Sequence, residues 1–262
     1  MIQSASNAKG FTIKAKAFSK TYLPDILDLK DKQIKFIDIV AGSGVINKDL
    51  AENTISSNLN GCYINIMDQG TQNLFLKGVS LNMLNPFYRR GERELINKKI
   101  DMINSYIEND TNTDKNIYVV VWWDDPNISN GYNELDNENI DFIEVAQFDS
   151  VTNKCYFPDN RTLIGKQISF FNFNLSGSFV TPTMNTNVSD TDMESCFVTL
   201  IKNNYKFVEN VPLSLFTTYM MYNVIKLQNV VFDLQNSYIA FPSSIASNVT
   251  GKVFFVNVEY KQ

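Results

Sequence analysis

The chain has 262 residues, a formal net charge of −5, an apolar fraction of 44% and no histidine. This length suffices for one large or two medium domains, and the apolar fraction excludes wholesale disorder. The absence of histidine removes the commonest general base and transition-metal ligand, which excludes Ser-His, Cys-His and His-metal mechanisms.

The N-terminal sequence MIQSASNAKGF lacks a basic start followed by an apolar run, so we expect no secretory signal. The most apolar segment, Val211 to Ile225, is too short and too polar to span a bilayer, so we expect a soluble protein. Cys62, Cys155 and Cys196 are odd in number and show no Cys-x-x-Cys spacing. This argues against a disulfide framework or a zinc knuckle and favours a reducing compartment.

The sequence contains two similar stretches. Residues 23–36 read LPDILDLKDKQIKF and residues 157–170 read FPDNRTLIGKQISF, so Pro24 to Phe36 matches Pro158 to Phe170 at an offset of 134 positions. Four further blocks match in the same order: Ile13–Phe18 with Ile143–Phe148, Cys62–Met67 with Cys196–Ile201, Leu74–Met83 with Ile225–Leu234, and Ile117–Trp123 with Val253–Glu259. Their β-branched and aromatic residues predict strands, and their repeated order predicts an internal duplication.

The two copies also share irregularities. The apolar alternation changes phase around Gly78 and around Asn229, which predicts a bulge or sharp bend at both places. A similar phase change occurs after Phe36 and after Phe170. Two copies with the same irregularities are expected to have the same backbone conformation.

An insert of about residues 88–108 contains isoleucines at helical spacing, at positions 96, 100, 103 and 107. It predicts an amphipathic helix from Gly91 to Glu108. The strand Ile117 to Trp123 is apolar on both faces, so we expect this helix or an inter-domain interface to cover the Val119 face. Val121 and Trp123 should then lie away from solvent.

The polar stretch Asp124 to Asn139 is typical of a domain boundary. We therefore predict an all-β protein of two tandem eight-stranded jelly-roll β-sandwiches with one inserted amphipathic helix. The predicted first jelly roll covers residues 1–126, the linker residues 127–138 and the second jelly roll residues 139–262.

Acidic and aromatic candidates for chemistry are better explained by structure. Asp124 and Asp125 resemble a glycosidase carboxylate pair or a calcium site, but adjacent strand residues point to opposite faces, so they are interpreted as a linker cap. Trp122 and Trp123 are able to stack on a sugar or a base, yet one falls on the predicted core face. The repeated acids, Asp25 and Asp159, fit ordinary Pro-Asp turn chemistry.

Basic and thiol candidates are also better explained by a structural role. Residues 89–99 include Arg89, Arg90, Arg93, Lys98 and Lys99, which suit phosphate or nucleic acid. Neighbouring acids dilute them, so a solvated helix face or subunit interface is favoured and strong nucleic-acid binding is not expected. Cys62 and Cys196 align and are interpreted as small buried strand residues. The sequence thus predicts no catalytic, cofactor or metal site and no enzyme.

The duplicated blocks, spread over nearly the whole chain and separated by unequal inserts, resemble the double jelly-roll major capsid proteins of tailless icosahedral viruses, in their compact bacteriophage form. The resemblance implies upright eight-stranded jelly rolls, homotrimers with pseudo-hexagonal outline that tile a shell, and assembly in the host cytoplasm into a virion. It also implies vertex and minor capsid proteins as partners, and leaves contact with an internal membrane open.

Two alternatives stay open. One is a minor virion protein at the vertex, receptor-binding or lectin-like, built from two sandwiches; it would carry a small-ligand or glycan site. The other is an enzyme of the bicupin type, which is also a duplicated β-barrel. Bicupins normally hold their metal with histidines, and this sequence has none.

Overall fold

The computed structural model describes residues 3–5, 7–41, 45–46, 53–54, 59–84, 98–124, 139–160, 163–173, 187–216, 225–227, 231 and 233–261. These residues are predominantly in β-strands, so the prediction of an all-β protein is confirmed. They form two compact units, one of Gly10–Asp124 and one of Met1–Lys9 with Asp125–Gln262. In the described part of the chain, no helix has the length and apolar character needed to cross a membrane.

The first half contains strands at the predicted blocks and further strands that the sequence did not predict. They are β1 (Gln3–Ala5), β2 (Asn7–Ala15), β3 (Ser19–Tyr22), β4 (Gln33–Val40), β5 (Val45–Ile46), β6 (Asn53–Thr54), β7 (Cys62–Asp68), β8 (Leu74–Ser80), β9 (Lys98–Asn109) and β10 (Lys115–Trp123). Short 3-10 helices span Leu27–Leu29 and Leu81–Leu84.

The second half contains β11 (Asn139–Val145), β12 (Gln147–Asp149), β13 (Lys154–Tyr156), β14 (Gln167–Phe173), β15 (Phe197–Lys202), β16 (Tyr205–Pro212), β17 (Ile225–Leu227), β18 (Asp233–Ala240) and β19 (Phe254–Lys261). Two α-helical turns, α1 (Asp190–Met193) and α2 (Ala246–Val249), and 3-10 helices at Leu213–Phe216 and Ser243–Ile245 complete it.

Within the smaller unit the strand order is nested. The first strand, β2, pairs with the last, β10, which pairs with β4. The second strand, β3, pairs with β9, which pairs with β7, and β7 pairs with β8. The larger unit repeats this order as β11-β19-β14 and β13-β18-β15-β16, but the connection of the two groups differs: β4 also pairs with β9 in the smaller unit, whereas β11-β19-β14 is a separate three-stranded sheet.

The core of the smaller unit is made by alternating apolar residues of these strands. Ile34, Ile37 and Ile39 of β4 are at most 2% exposed, and they pack with Val119, Val121 and Trp123 of β10 in one cluster. Ile34 and Ile37 face the same core because the β4–β10 register shifts between the pairs Ile34–Trp123 and Phe36–Trp122. The larger unit shifts at the matching place, between Ile168 and Phe170. Both copies therefore share an irregularity as predicted, but it lies just before Phe36 and Phe170 and not after them.

The repeated turn before β4 and β14 is confirmed in detail. The amide of Lys32 donates to the carbonyl of Leu29, and that of Lys166 donates to the carbonyl of Leu163. In each turn the residue before the lysine is left-handed: Asp31 has φ 62° and Gly165 has φ 73°. The opening motif therefore folds the same way twice.

The strands β7 and β15 match as predicted, but the segment that follows does not. The counterpart of Leu74–Met83 is not Ile225–Leu234, because β8 pairs with β7 as β16 pairs with β15. Leu76 lies opposite Ile66, and Val208 lies opposite Leu200. A 3-10 helix follows both strands directly.

The bend at Gly78 is confirmed, since its φ is 59° and its amide donates to the Asn65 side chain at 2.9 Å. Its structural counterpart is Asn210, whose φ is 52° and whose amide donates to Thr199 Oγ1 at 3.2 Å. The other predicted position, Asn229, lies outside the described residues.

The helix predicted from Gly91 to Glu108 is wrong over Lys98–Glu108, which belongs to β9; residues 91–97 lie outside the described part. Ile100, Met102, Ser105 and Ile107 are buried, and Ile103 is exposed. The burial alternates with period two on each side of a bulge at residues 102–105, where β9 has surplus residues opposite β7. This change of phase gives isoleucines a spacing of three and four that mimics a helix.

The bulge is formed by a motif that also occurs in the larger unit. Residues 101–107 read DMINSYI and residues 233–239 read DLQNSYI. The hydroxyl of Ser105 donates to the carbonyl of Asp101 at 2.6 Å and accepts from the amide of Met67 at 3.0 Å. Ser237 makes the same two bonds, to Asp233 and from Ile201, at 2.6 and 3.0 Å.

The last strands match with a register one residue different from the prediction. Trp122 lies opposite Phe36 as Glu259 lies opposite Phe170. The Val119 face of β10 is therefore the face that lies in the core of the smaller unit, and it is equivalent to the core face of β19 in the larger unit. The additional apolar face of β10 carries Tyr118, Val120 and Trp122. Val121 and Trp123 are each 1% exposed, so their predicted burial is confirmed, although the predicted covering helix is not what buries them.

Candidate functional site

The acidic candidate at the end of β10 takes part in a surface ion pair. Asp124 Oδ2 lies 2.7 Å from Lys35 Nζ, and both side chains are partly buried. Asp125 falls outside the described residues. The pairing explains Asp124 as a strand-end contact to β4.

Both tryptophans are buried and unable to stack on a ligand from solvent. Trp123 lies in the core, and Trp122 is 0% exposed. The Trp122 ring stacks on Phe36 at 5.4 Å between centroids, and its Nε1 donates to Asp38 Oδ2 at 2.9 Å. These contacts give the tryptophans a structural role.

The three cysteines are free thiols and all are buried. Burial raises the pKa of Cys62 to about 11 and the pKa of Cys155 to about 12. Burial also raises the pKa of Cys196 well above its ordinary value. Because the thiolate is the reactive form, all three behave as small apolar residues.

Of the predicted basic cluster, the structure describes only its two lysines. Lys98 Nζ lies 2.9 Å from Asp68 Oδ2. The hydrogen bond from Lys98, with those from the amides of Thr71 and Gly70, lowers the pKa of Asp68. The arginines at positions 89, 90 and 93 lie outside the described residues, so the favoured interpretation of the cluster as a solvated face or subunit interface stays a prediction, although Lys98 and Lys99 lie in a strand and not on a helix.

Asp25 lines a half-open cleft of about 270 Å³ in the smaller unit. The turn that contains Leu27 and Lys30 forms one wall, and Gln69 with the β9 bulge around Asp101 forms the rest. Asp101 accepts hydrogen bonds from the Asn104 amide and side chain, so it stabilises the bulge. Asp159, the repeat of Asp25, is exposed. The cleft offers carboxylate, ammonium and amide groups to a small polar ligand.

An aromatic and cationic cluster repeats in both units and has no counterpart among the sequence predictions. In the smaller unit Lys20 Nζ lies 4.6 Å from the centroid of the Tyr106 ring, and Tyr22 meets the same ring edge-on at 5.7 Å. In the larger unit Lys154 Nζ lies 4.1 Å from the Tyr238 ring. The sequence signal was present as the tyrosine of the DMINSYI and DLQNSYI motifs.

A third feature is the outer side of β16, the side opposite β15. Ala8 and Lys9 pair in parallel with Val208 and Glu209 of β16. Lys9 Nζ and Glu209 Oε2 form an ion pair of 2.8 Å, and Lys206 Nζ donates to Glu209 Oε1 at 2.8 Å.

Burial alone would raise the pKa of Glu209, but the hydrogen bonds from Lys206 and Lys9 outweigh it, so this pKa is lowered. Glu209 is therefore a carboxylate held between two ammonium groups. This charge arrangement fastens residues 7–9, here called the N-terminal arm, to the edge of β16.

Within the described residues, no group of three or more acidic or cysteine side chains is arranged to hold a metal ion. Comparison with protein-family models, with curated proteins and with solved structures finds no match to this chain. The functional argument therefore depends on the geometry of the duplicated units and their edges.

Proposed function

We propose that the chain is a viral major capsid protein of the double jelly-roll type, a subunit that forms homotrimers of pseudo-hexagonal outline and tiles an icosahedral shell. Each unit would be a jelly roll, in which the chain alternates between two sheets in a nested order. In this proposal the protein is located in the virion, after assembly in the host cytoplasm, and has vertex and minor capsid proteins as partners.

The observation that carries the proposal is the matching pairing order of seven strands in the two units, which differ in that β4 also pairs with β9 while β14 pairs with β19 alone. Seven strands occupy matching positions in each, namely β2, β3, β4, β7, β8, β9 and β10 and, in the same order, β11, β13, β14, β15, β16, β18 and β19. The eighth position of a jelly roll falls between β8 and β9 and between β16 and β18. There the structure describes β17 and, before each gap, a 3-10 helix.

The duplication supports assembly because two similar domains in one chain let three chains present six similar surfaces around a common axis. The bulge motif, the left-handed turn and the bend at Gly78 and Asn210 recur at matching positions. Two domains with the same backbone conformation, including its irregularities, are able to make similar contacts with neighbouring domains in an assembly.

The test is the mass of the purified protein together with images of its assemblies. Native mass spectrometry should give three times the chain mass of 29.9 kDa, and electron microscopy at higher concentration should show shells or hexagonally packed sheets. A protein that stays monomeric at all concentrations and forms no lattice would refute the proposal.

The alternative of a minor vertex or lectin-like virion protein is favoured by the cleft beside Asp25 and by the exposed ring of Tyr22, which is 56% exposed next to Lys20. Aromatic faces and paired polar groups suit glycan recognition. Glycan-array binding that is lost in Tyr22→Ala, combined with a monomeric mass, would favour this alternative.

A further inference from the structure

The cleft beside Asp25, here called the Asp25 cleft, is built by three segments of the smaller unit. The turn before β4 contributes Asp25, Leu27 and Lys30, and the turn between β7 and β8 contributes Gln69. The β9 bulge, which includes Ile103, forms the remaining wall. All these residues belong to the smaller unit, so one domain suffices to build the cleft.

The turn between β7 and β8 is longer than its counterpart in the larger unit. It spans residues 69–73, whereas the turn between β15 and β16 consists of residues 203–204. The bulge differs as well, because Ile103 occupies the position that Gln235 occupies in the repeated motif. Since the larger unit makes the equivalent strand pairings with a shorter turn and a polar residue, the fold does not require these features of the cleft.

The longer turn is held in one conformation by hydrogen bonds and an ion pair. The Asp68 carboxylate accepts from two amides of the turn at 2.8 and 3.1 Å, and its Oδ2 lies 2.9 Å from Lys98 Nζ. The amide of Gln69 donates to the carbonyl of Lys99 at 2.9 Å, and its side-chain Nε2 donates to Asp31 at 2.9 Å. These contacts connect the walls, so an occupant does not have to order them.

Polar groups without internal partners line the cleft. The side chains of Asp25 and Lys30 are exposed, and neither makes a hydrogen bond or an ion pair within the described residues. Gln69 directs Nε2 to Asp31, and its Oε1 is buried without a donor in that part of the chain. Buried acceptors are normally satisfied by protein or by ordered water. The cleft therefore offers both acceptors and a donor to an occupant.

Apolar side chains accompany these polar groups. Leu27 and Ile103 are large, apolar and exposed, and the lining also includes the buried side chains of Ile100 and Met102. A sugar ring matches this mixture, because its hydroxyls both donate and accept hydrogen bonds and its C–H groups form apolar patches. The volume of about 270 Å³ lies just below the range of about 300–1,000 Å³ for drug-sized ligands, which suits a single ring.

The charges of the lining select among sugars. Asp25 and Asp101 are acidic and Lys30 is basic, so the lining carries one net negative charge. A carboxylate, sulfate or phosphate group on the sugar would be repelled by this charge. A neutral sugar avoids the repulsion and still uses every polar group.

We propose that the Asp25 cleft binds a neutral hexose unit of a glycan, with Asp25 and Lys30 hydrogen-bonded to its hydroxyls and with Leu27 and Ile103 against its C–H groups. The site is specific to the smaller unit, because its longer turn and Ile103 have no equivalent in the larger unit. The inference goes beyond the proposed subunit role and does not depend on it. A glycan site lets a shell subunit, as well as a vertex protein, attach to a surface that carries sugars.

The experiment is saturation-transfer NMR on the full-length protein with four neutral probes, the methyl glycosides of glucose, galactose, mannose and N-acetylglucosamine. At least one probe should bind, with a dissociation constant on the order of 1 mM. Asp25→Ala should weaken this binding at least about fivefold, which is the equivalent of one hydrogen bond. Ile103→Gln, which introduces the residue of the larger unit, should weaken it as well.

The matched controls lie at the repeated positions of the larger unit. They are Asp159→Ala and Gln235→Ile, both at exposed positions, and neither should change the binding. Asp25 and Ile103 are also exposed, so all four variants should keep the urea midpoint of the unmodified protein. A loss of binding is then not a loss of fold.

Three results would overturn the inference. One is the absence of binding by all four probes, another is binding that both cleft variants leave unchanged, and the third is tighter binding of methyl glucuronide, an acidic probe. The native mass is measured separately. A trimer that binds no sugar would leave the proposed subunit role standing, whereas a monomer that binds sugar through the cleft would remove that role and support this inference.

Discussion

Replacement of Ser105 by alanine tests whether the two bulges are energetically equivalent as well as similar in shape. Ser105 is 0% exposed, and its hydroxyl satisfies both the Asp101 carbonyl and the Met67 amide. Alanine leaves two buried backbone groups without this partner, at about 1–3 kcal/mol for each group. We expect Ser105→Ala to lower the free energy of unfolding of its unit by about 2–6 kcal/mol.

Ser237 has the same burial and the same two bond lengths, so Ser237→Ala should cost the larger unit about the same. The assay is urea unfolding followed by circular dichroism and by tryptophan fluorescence, since both tryptophans lie in the smaller unit. Ser244→Ala, at an exposed position, is the control and should change stability by less than about 0.5 kcal/mol. A loss below about 1 kcal/mol for either buried serine would refute the reasoning.

Three further predictions concern backbone conformation, pH and thiol reactivity. Gly78→Ala should destabilise by about 1 kcal/mol because a β-carbon is strained at φ 59°, whereas Gly78→Asn should cost less, since Asn210 holds this conformation; urea midpoints measure both. The lowered pKa of Glu209 means that its ion pairs stabilise the larger unit above the ordinary carboxylate value of 4.5 and are lost as the pH falls through the lowered value. Unfolding free energies from about pH 6 to pH 3 should show this loss, and Glu209→Gln should lack that part of the slope. A thiol reagent should leave the native protein unlabelled and modify three cysteines after unfolding: Cys62, Cys155 and Cys196.

The repeat at Pro24 and Pro158 was predictable because its signals are local. A turn fixed by a left-handed residue needs particular residue types at fixed positions, and Asp31 and Gly165 both tolerate positive φ. The strand that follows then begins at the same place in both copies. Local turn chemistry therefore identified the duplication correctly.

The counterpart of β8 was not predictable by the same means. β16 preserves the pairing and the bend of β8, but Asn210 replaces Gly78 and few residues are identical. The apolar residues around Asn229 change phase as those around Gly78 do, and this similarity led to the wrong alignment. Edge strands tolerate such divergence because their side chains are partly exposed, as those of β8 are.

The helix was predicted in error because a bulge converts period two into an apparent spacing of three and four. The repeated letters DMINSYI and DLQNSYI would have corrected it, since one segment then has to share the conformation of the other. The repeated tyrosine of these motifs was visible in the sequence, but its lysine partners, Lys20 and Lys154, were not, because the contacts depend on the pairing of β3 with β9 and of β13 with β18.

The pairing of Ala8 with Val208 sets an order for synthesis on the ribosome. Gly10–Asp124 is continuous in sequence and is complete before β16 is translated, whereas the N-terminal arm has to wait for a strand 200 positions later. At about 5–20 residues per second this delay is roughly 10–40 s. Throughout this interval the arm of a nascent chain is available to the β16 edge of another chain whose own arm is not yet bound. Crowded polysomes would therefore favour exchanged dimers, and slower translation, which lengthens the interval, would increase their share.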